Sequence, residues 1–165
     1  MQPSTVQPAT VQPSTIDRIA SLGHELNANQ YQIVRLAADY DTGLDWLQCG
    51  YPNPATAIAN ALDIHTSTAR EWIRVGHALE YLPGIDAAFA TNDLSYAKVR
   101  ILTRSADPDN EDQLLALAYE RTANRLPAAI ANHIAGDETD DDRDNRHHDN
   151  RSITVHTDWH AVNKV

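Results

Sequence analysis

The stretch AIANALDIHTSTAREWIRVGHAL, residues 57–79, decides the fold. Its apolar residues recur at helical spacing on both sides of a short polar interruption. We therefore predict a short helix that ends near Leu62, a tight turn, and a second helix that small polar residues open. Asp63 takes the turn position that glycine usually fills, because aspartate tolerates the left-handed backbone better than most side chains. This layout is that of a helix-turn-helix.

The second helix of this pair has an apolar face and a polar face. Ala69, Trp72 and Ile73 are expected to bury the inner face, while Ile64 anchors the turn in the core. Near the helix start the residues that point outward are Thr66, Ser67, Arg70, Glu71 and Arg74. In DNA-binding helix-turn-helix proteins this position contacts bases and phosphates. Thr68 and Glu71 also have the spacing of a capping box.

The remaining apolar runs up to residue 135 are short, rich in alanine and helically spaced. They predict an all-α domain of six to eight short helices over residues 15–135, with the helix-turn-helix at 55–82. Residues 15–43 carry two successive apolar stripes that meet near Asn27, which favours a pair of helices ended by Gly43. Asp107-Pro108 predicts another helix start, and Pro127 conflicts with a helix from residue 123 unless that helix begins near Leu126.

Both ends of the chain differ in composition from this domain. Residues 1–14 repeat a proline-containing pentad and predict a disordered tail. Residues 136–165 begin with an acidic run, which predicts a linker followed by the truncated start of another unit. One unpartnered strand is expected there, from Ile153 to Val162.

Composition restricts the function classes. The one cysteine, Cys49, allows no internal disulfide, and the chain contains no secretory signal or apolar span of membrane length. We expect a soluble cytoplasmic protein without membrane association. His147, His148 and Asp149, and farther on His156, Asp158 and His160, are read as solvated polar groups, so no metal and no cofactor is predicted.

The net charge of −10 disfavours nucleic acid as a partner, since phosphate binding needs local positive charge. The acidic groups, however, lie mainly outside residues 55–106, where five basic and five acidic residues balance. Duplex DNA therefore stays the predicted partner, with a homodimer possible. The predicted DNA-binding residues are Thr66, Ser67, Thr68, Arg70, Arg74, Lys98, Arg100 and Arg104. The alternative is a protein-interaction or oligomerisation scaffold in which Arg70 and Arg74 pair with nearby acids such as Glu71 or Glu80.

The chain also resembles known families. ALEYLPGIDAAFATNDLSYAKVRILTR, residues 78–104, is similar to the segment that follows the helix-turn-helix of ParB-like partition proteins. The stretches 26–41, 68–83 and 87–118, with Thr122-Ala123, resemble the actinobacterial thirteen-E-twelve repeat family. Ala57-Ile58 and Pro127 depart from that family's pattern.

This second resemblance implies a helical domain of unassigned function that usually precedes an HNH nuclease module. ITVHTDWHAV, residues 153–162, resembles the family's first strand after the linker. None of the nuclease positions has a counterpart in this sequence, so we predict no catalytic residue and a DNA-associated role without enzymatic activity. A third interpretation is an inactive fragment of a longer HNH endonuclease.

Overall fold

The computed structural model of the chain describes residues 13–137. Over that range the chain forms eight helices and no strand, which confirms the all-α prediction. The helices are α1 (Thr15–Gly43), α2 (Asp45–Gln48), α3 (Pro54–Leu62), α4 (Thr66–Leu79), α5 (Pro83–Ala90), α6 (Tyr96–Leu102), α7 (Glu111–Glu120) and α8 (Leu126–Asp137). The chain divides into two units between Ile130 and Ala131, and the first contains α1 to α7 and the start of α8.

Helix α1 is a single helix of 29 residues, so the prediction of two short helices is wrong, while the predicted end at Gly43 is confirmed. Ser14 and Asp17 form a reciprocal capping box at its start. The two stripes differ because only the second half of α1 packs on the body, through Val34, Ala37 and Ala38. Asn27 lies where the first apolar stripe meets the second, and its side chain makes hydrogen bonds.

The side chain of Asn27 fixes the α5–α6 turn against α1. Its amide nitrogen donates to the carbonyl oxygen of Leu94 at 2.9 Å and to the side-chain oxygen of Asn92. Its amide oxygen accepts from the backbone N–H of Tyr96 at 2.7 Å. A polar residue inside the apolar pattern thus satisfies backbone groups of a distant turn, which periodicity does not reveal.

Helix α4 crosses α1 in close contact. A methyl group built on Gly76 would lie 2.5 Å from the carbonyl oxygen of Val34 and 2.7 Å from Cβ of Ala38. The missing side chain of Gly76 therefore sets the distance between the two helices. Phe89 of α5 is fully buried. Its ring packs edge-to-face against the ring of Tyr31 of α1, and the two ring centroids are 5.3 Å apart.

The sequence predicts two helix starts from the positions of prolines. The structure agrees with one of these predictions and not with the other. Helix α8 begins at Leu126, so Pro127 lies in its first turn, where no backbone N–H is required. Helix α7 begins at Glu111 and not at Asp107-Pro108. The carboxylate of Asp107 accepts from the backbone N–H groups of Asp109 and Asn110, both at 2.9 Å, and this local turn replaces the first helical turn.

The predicted tail, acidic linker, strand and histidine pairs fall in residues 1–12 and 138–165, outside the described residues. Ser14, which the sequence boundaries assign to the tail, is the N-cap of α1. Of the described helices, none combines the length and the apolar character needed to cross a membrane.

Candidate nucleic-acid interface

The turn between α3 and α4 is set by a left-handed residue. Asp63 ends α3 with φ 52° and ψ 48°, and the N–H of Ile64 donates to the carbonyl oxygen of Ala59 at 3.1 Å. The prediction that aspartate occupies the usual glycine position is confirmed. Ile64 itself is half-buried. Three residues, 63–65, thus connect the two helices, and the start of α4 lies at the surface.

His65 caps α4, and the predicted capping box of Thr68 and Glu71 is wrong. The Nδ1 atom of His65 accepts from the backbone N–H of Ser67 at 3.2 Å and lies 2.7 Å from the Ser67 hydroxyl. Because Nδ1 accepts, a neutral His65 carries its hydrogen on Nε2, which leaves a donor for a partner. The helix starts one turn earlier than the capping-box pattern requires, at Thr66.

The residues buried on the inner face of α4 include those that the sequence predicts. Ala69, Trp72 and Ile73 are buried, as are Val75 and Leu79 farther along the helix. This burial fixes the rotation of α4 about its axis. The polar half of the helix therefore faces away from the core, with Ser67, Thr68 and Arg70 exposed and Thr66 half-buried.

Arg70 is exposed, and no hydrogen bond or ion pair occupies its guanidinium within residues 13–137. It lies one turn into α4, on the outward face. Five N–H donors in a fixed planar arrangement are thus available to an external acceptor such as a phosphate oxygen.

Arg74, the second predicted contact on α4, is committed to the fold. Its guanidinium binds both carboxylate oxygens of Glu71, at 3.0 and 3.1 Å. It also donates to the carbonyl oxygens of Thr103 at 2.9 Å and Arg100 at 3.3 Å, at the carboxyl end of α6. A cation at this end satisfies carbonyl groups that lack helical partners. Arg74 is therefore a clamp between α4 and α6, a correction to its predicted role as a free contact.

The carboxylate of Glu71 binds a second arginine, Arg104. Arg104 donates to the same carboxylate at 2.8 Å, although its side chain remains 61% exposed. The hydrogen bond from Arg74 is the main cause that holds the pKa of Glu71 below its usual value, with Arg104 adding to it against the effect of burial. We call Arg70, Arg74, Arg100 and Arg104 the arginine cluster.

The pairing places the carboxyl end of α6 beside the outward face of α4. Arg74 and Arg104 both bind the one carboxylate of Glu71, and Arg70 lies one turn before Arg74 on α4, so basic side chains outnumber the acid here although the whole chain is anionic. Arg100 is exposed, and no hydrogen bond or ion pair engages its guanidinium within the described residues. Sequence spacing alone does not bring α6 against α4, because their arginines are about thirty positions apart.

Lys98 does not belong to this surface. Its ammonium group is half-buried and donates to the carbonyl oxygen of Ala118 at 2.6 Å, in the last turn of α7. The prediction that Lys98 contacts phosphate is therefore corrected: it ties α6 to α7. Of the eight predicted residues, those that face solvent with free side-chain groups are Thr68, Arg70 and Arg100. Ser67 and Arg104 are exposed but paired, with His65 and Glu71 respectively.

His77 and His24 are engaged within the fold. His77 lies 2.8 Å from Asp41 of α1 and 3.0 Å from Glu80, and the hydrogen bond with Asp41 is the main cause that raises its pKa. His24 accepts from Asn92. Over residues 13–137 no group of three histidine, cysteine or acidic side chains is placed to hold a metal ion.

These features define an all-α protein in which two helices and a three-residue turn present an arginine-bearing helix face. The chain matches no protein-family model. Comparison with curated proteins and with solved structures likewise gives no significant match.

Proposed function

We propose that the protein docks on duplex DNA through the outward face of α4, with α3 and α4 acting as a helix-turn-helix. The observation that carries the proposal is the exposed guanidinium of Arg70, one helical turn before Arg74, which with Arg104 binds Glu71. Thr68 on the same helix and Arg100 on α6 are also exposed and supply further donors. The resemblance of residues 78–104 to ParB-like partition proteins supports the same role, and the thirteen-E-twelve repeat domain, which has no assigned function, usually precedes a nuclease module. Docking alone is proposed, with no catalytic step.

Charge limits how strongly such a surface binds. Arg74 and Lys98 are occupied by the fold, so only Arg70, Arg100 and, after exchange of its glutamate partner, Arg104 are left to meet phosphates. Two or three phosphate contacts give a slope of log K against log salt of about −2 to −3. Binding should therefore be weak for one copy at physiological salt.

Fluorescence anisotropy with a labelled duplex of about 30 base pairs at low salt tests the proposal. Arg70→Glu should weaken binding by about tenfold or more, because it replaces a phosphate contact with a repulsive charge. Arg125→Glu is the matched control, since Arg125 is equally exposed and lies on the turn before α8. It carries the same change in net charge and should stay within about threefold of wild type.

Both variants change solvent-exposed side chains, so both should melt within a few degrees of wild type. Equal binding by Arg70→Glu and wild type would contradict the proposal. Equal weakening by the two variants would contradict it as well, because the effect would then follow net charge and not the α4 surface.

A further inference from the structure

The first half of α1 presents an apolar stripe that its own body leaves uncovered. All residues from 15 to 26 are exposed. The stripe comprises Ile16, Ile19, Leu22 and Leu26, whose side chains are 59% to 68% exposed. Monomeric proteins rarely leave four aliphatic side chains exposed along one helix face. Within residues 13–137 nothing packs on them.

The second half of α1 borders an open cleft on the same side of the helix. The cleft has a volume of about 620 Å³ and lies between α1, α2 and α3. Its walls are mainly apolar and include Ile33, Leu36, Tyr40, Ile58 and Leu62. Leu36 is 63% exposed. One helix thus carries both an apolar ridge and an apolar cleft.

The ridge and the cleft share one heptad pattern. Ile19, Leu26, Ile33 and Tyr40 are seven residues apart, and Leu22, Asn29 and Leu36 lie between them at the spacing of coiled-coil core positions. When two copies of α1 pair antiparallel, positions of the first set on one copy lie opposite positions of the second set on the other copy. Ile19 then faces Leu36 of a second copy, Leu22 faces Ile33, and Leu26 faces Asn29.

The flanking charges agree with this register. Antiparallel pairing with these core contacts places Arg18 beside Asp39 of the other copy, and the two-fold axis repeats the contact. Arg18 is the one cation of the exposed half of α1, and Asp39 lies at the cleft. Asp45 adds a second carboxylate at the cleft. A parallel pair would not bring Arg18 near Asp39, because they are 21 residues apart, or about 30 Å along the helix.

We propose that two copies of this chain pair antiparallel through α1, with the ridge of each copy seated in the cleft of the other. Five aliphatic side chains, each about two-thirds exposed, offer roughly 300–350 Å² of apolar area per copy. A standard interface takes about 800 Å² per partner, a little over half of it apolar. The half-buried cleft walls supply the difference. The pairing is independent of the proposed DNA docking, which uses α4.

Sedimentation equilibrium of the full chain is the first test. The wild type should be a dimer at tens of micromolar, and Leu22→Glu/Leu26→Glu should weaken association by about 100-fold or more. Both changed side chains are exposed, so the melting temperature of the monomer should hold. Tyr119→Glu is the control, since Tyr119 is an exposed apolar residue of α7 and should leave the dimer unchanged.

The charge pair tests the register. Arg18→Glu and Asp39→Arg should each weaken the dimer, and the double variant Arg18→Glu/Asp39→Arg should recover most of the loss, because the pair is restored with reversed sign. If the chain's own terminal residues covered the stripe, the wild type would be a monomer and no recovery would be seen. Either result would overturn the proposal.

Cysteine cross-linking fixes the orientation. In a Cys49→Ser background, a chain with Ile19→Cys mixed with a chain carrying Leu36→Cys should form a mixed disulfide on mild oxidation. Ile19→Cys alone should not link to itself, since the two copies of position 19 are about 25 Å apart in the antiparallel register. A dominant link between two copies of position 19 would overturn the antiparallel arrangement.

Discussion

The carboxylate of Glu71 and the guanidinium of Arg74 form a two-point ion pair one turn apart on α4. Because Arg74 also binds the carbonyl end of α6, this pair connects two helices. An arginine that sequence spacing assigns to DNA thus stabilises the fold. Its neighbour Arg70, four residues earlier, is left for an external partner. Mutation of Arg74 would therefore report on folding as much as on binding.

Replacing Glu71 with glutamine should destabilise the protein by about 1–2 kcal/mol, because the charge that holds Arg74 and Arg104 is lost while its site is half-buried. The folded state lowers the pKa of Glu71, so its contribution is present above the unfolded pKa near 4.5 and is lost as the pH falls through the folded pKa. Urea unfolding between pH 3 and 6 measures both effects. Glu120→Gln, on the exposed end of α7, should change little.

His77 links α4 to Asp41 of α1 and should give the opposite pH dependence. Its folded pKa is raised above 6.5, so its contribution is complete below the unfolded pKa and is lost as the pH rises through the folded pKa. Melting temperatures should therefore fall slightly between pH 6 and 8, since the pair is partly exposed. His77→Gln and Asp41→Asn should each flatten this dependence. An unchanged slope in both variants would show that His77 is not its source.

Two helical glycines should respond in opposite directions to alanine. Gly76→Ala forces a methyl group onto the Val34 carbonyl and should cost about 1–3 kcal/mol. Gly23→Ala meets no atom within 4 Å and should stabilise α1 by up to about 1 kcal/mol. Thermal unfolding of both variants decides the matter. Equal effects would mean that Gly76 does not set the α1–α4 distance.

Local rules of sequence predicted the local features of this fold. Asp63 in the left-handed turn and the buried triplet Ala69, Trp72 and Ile73 follow from turn chemistry and helical periodicity. The rules for helix starts were less reliable, because other side chains accept from the backbone N–H groups concerned. Asp107 accepts from Asn110 in a local turn, and His65 accepts from Ser67 as the cap of α4.

Long-range contacts explain the remaining differences. Asn27 holds a turn almost seventy residues away, and Lys98 and Arg74 satisfy the carbonyl ends of other helices. A polar side chain at helical spacing gives no sign of whether it faces solvent or a distant carbonyl group. The site residues that depended on that distinction were therefore the ones predicted wrongly.

The most direct test of DNA docking is an amide NMR titration of the labelled full chain with a short duplex at low salt. We predict that shifts concentrate on residues 65–71 and on Arg100 and Arg104, while residues 15–26 of α1 keep their positions. Shifts centred away from α4, or no shifts at a duplex excess, would contradict the central claim.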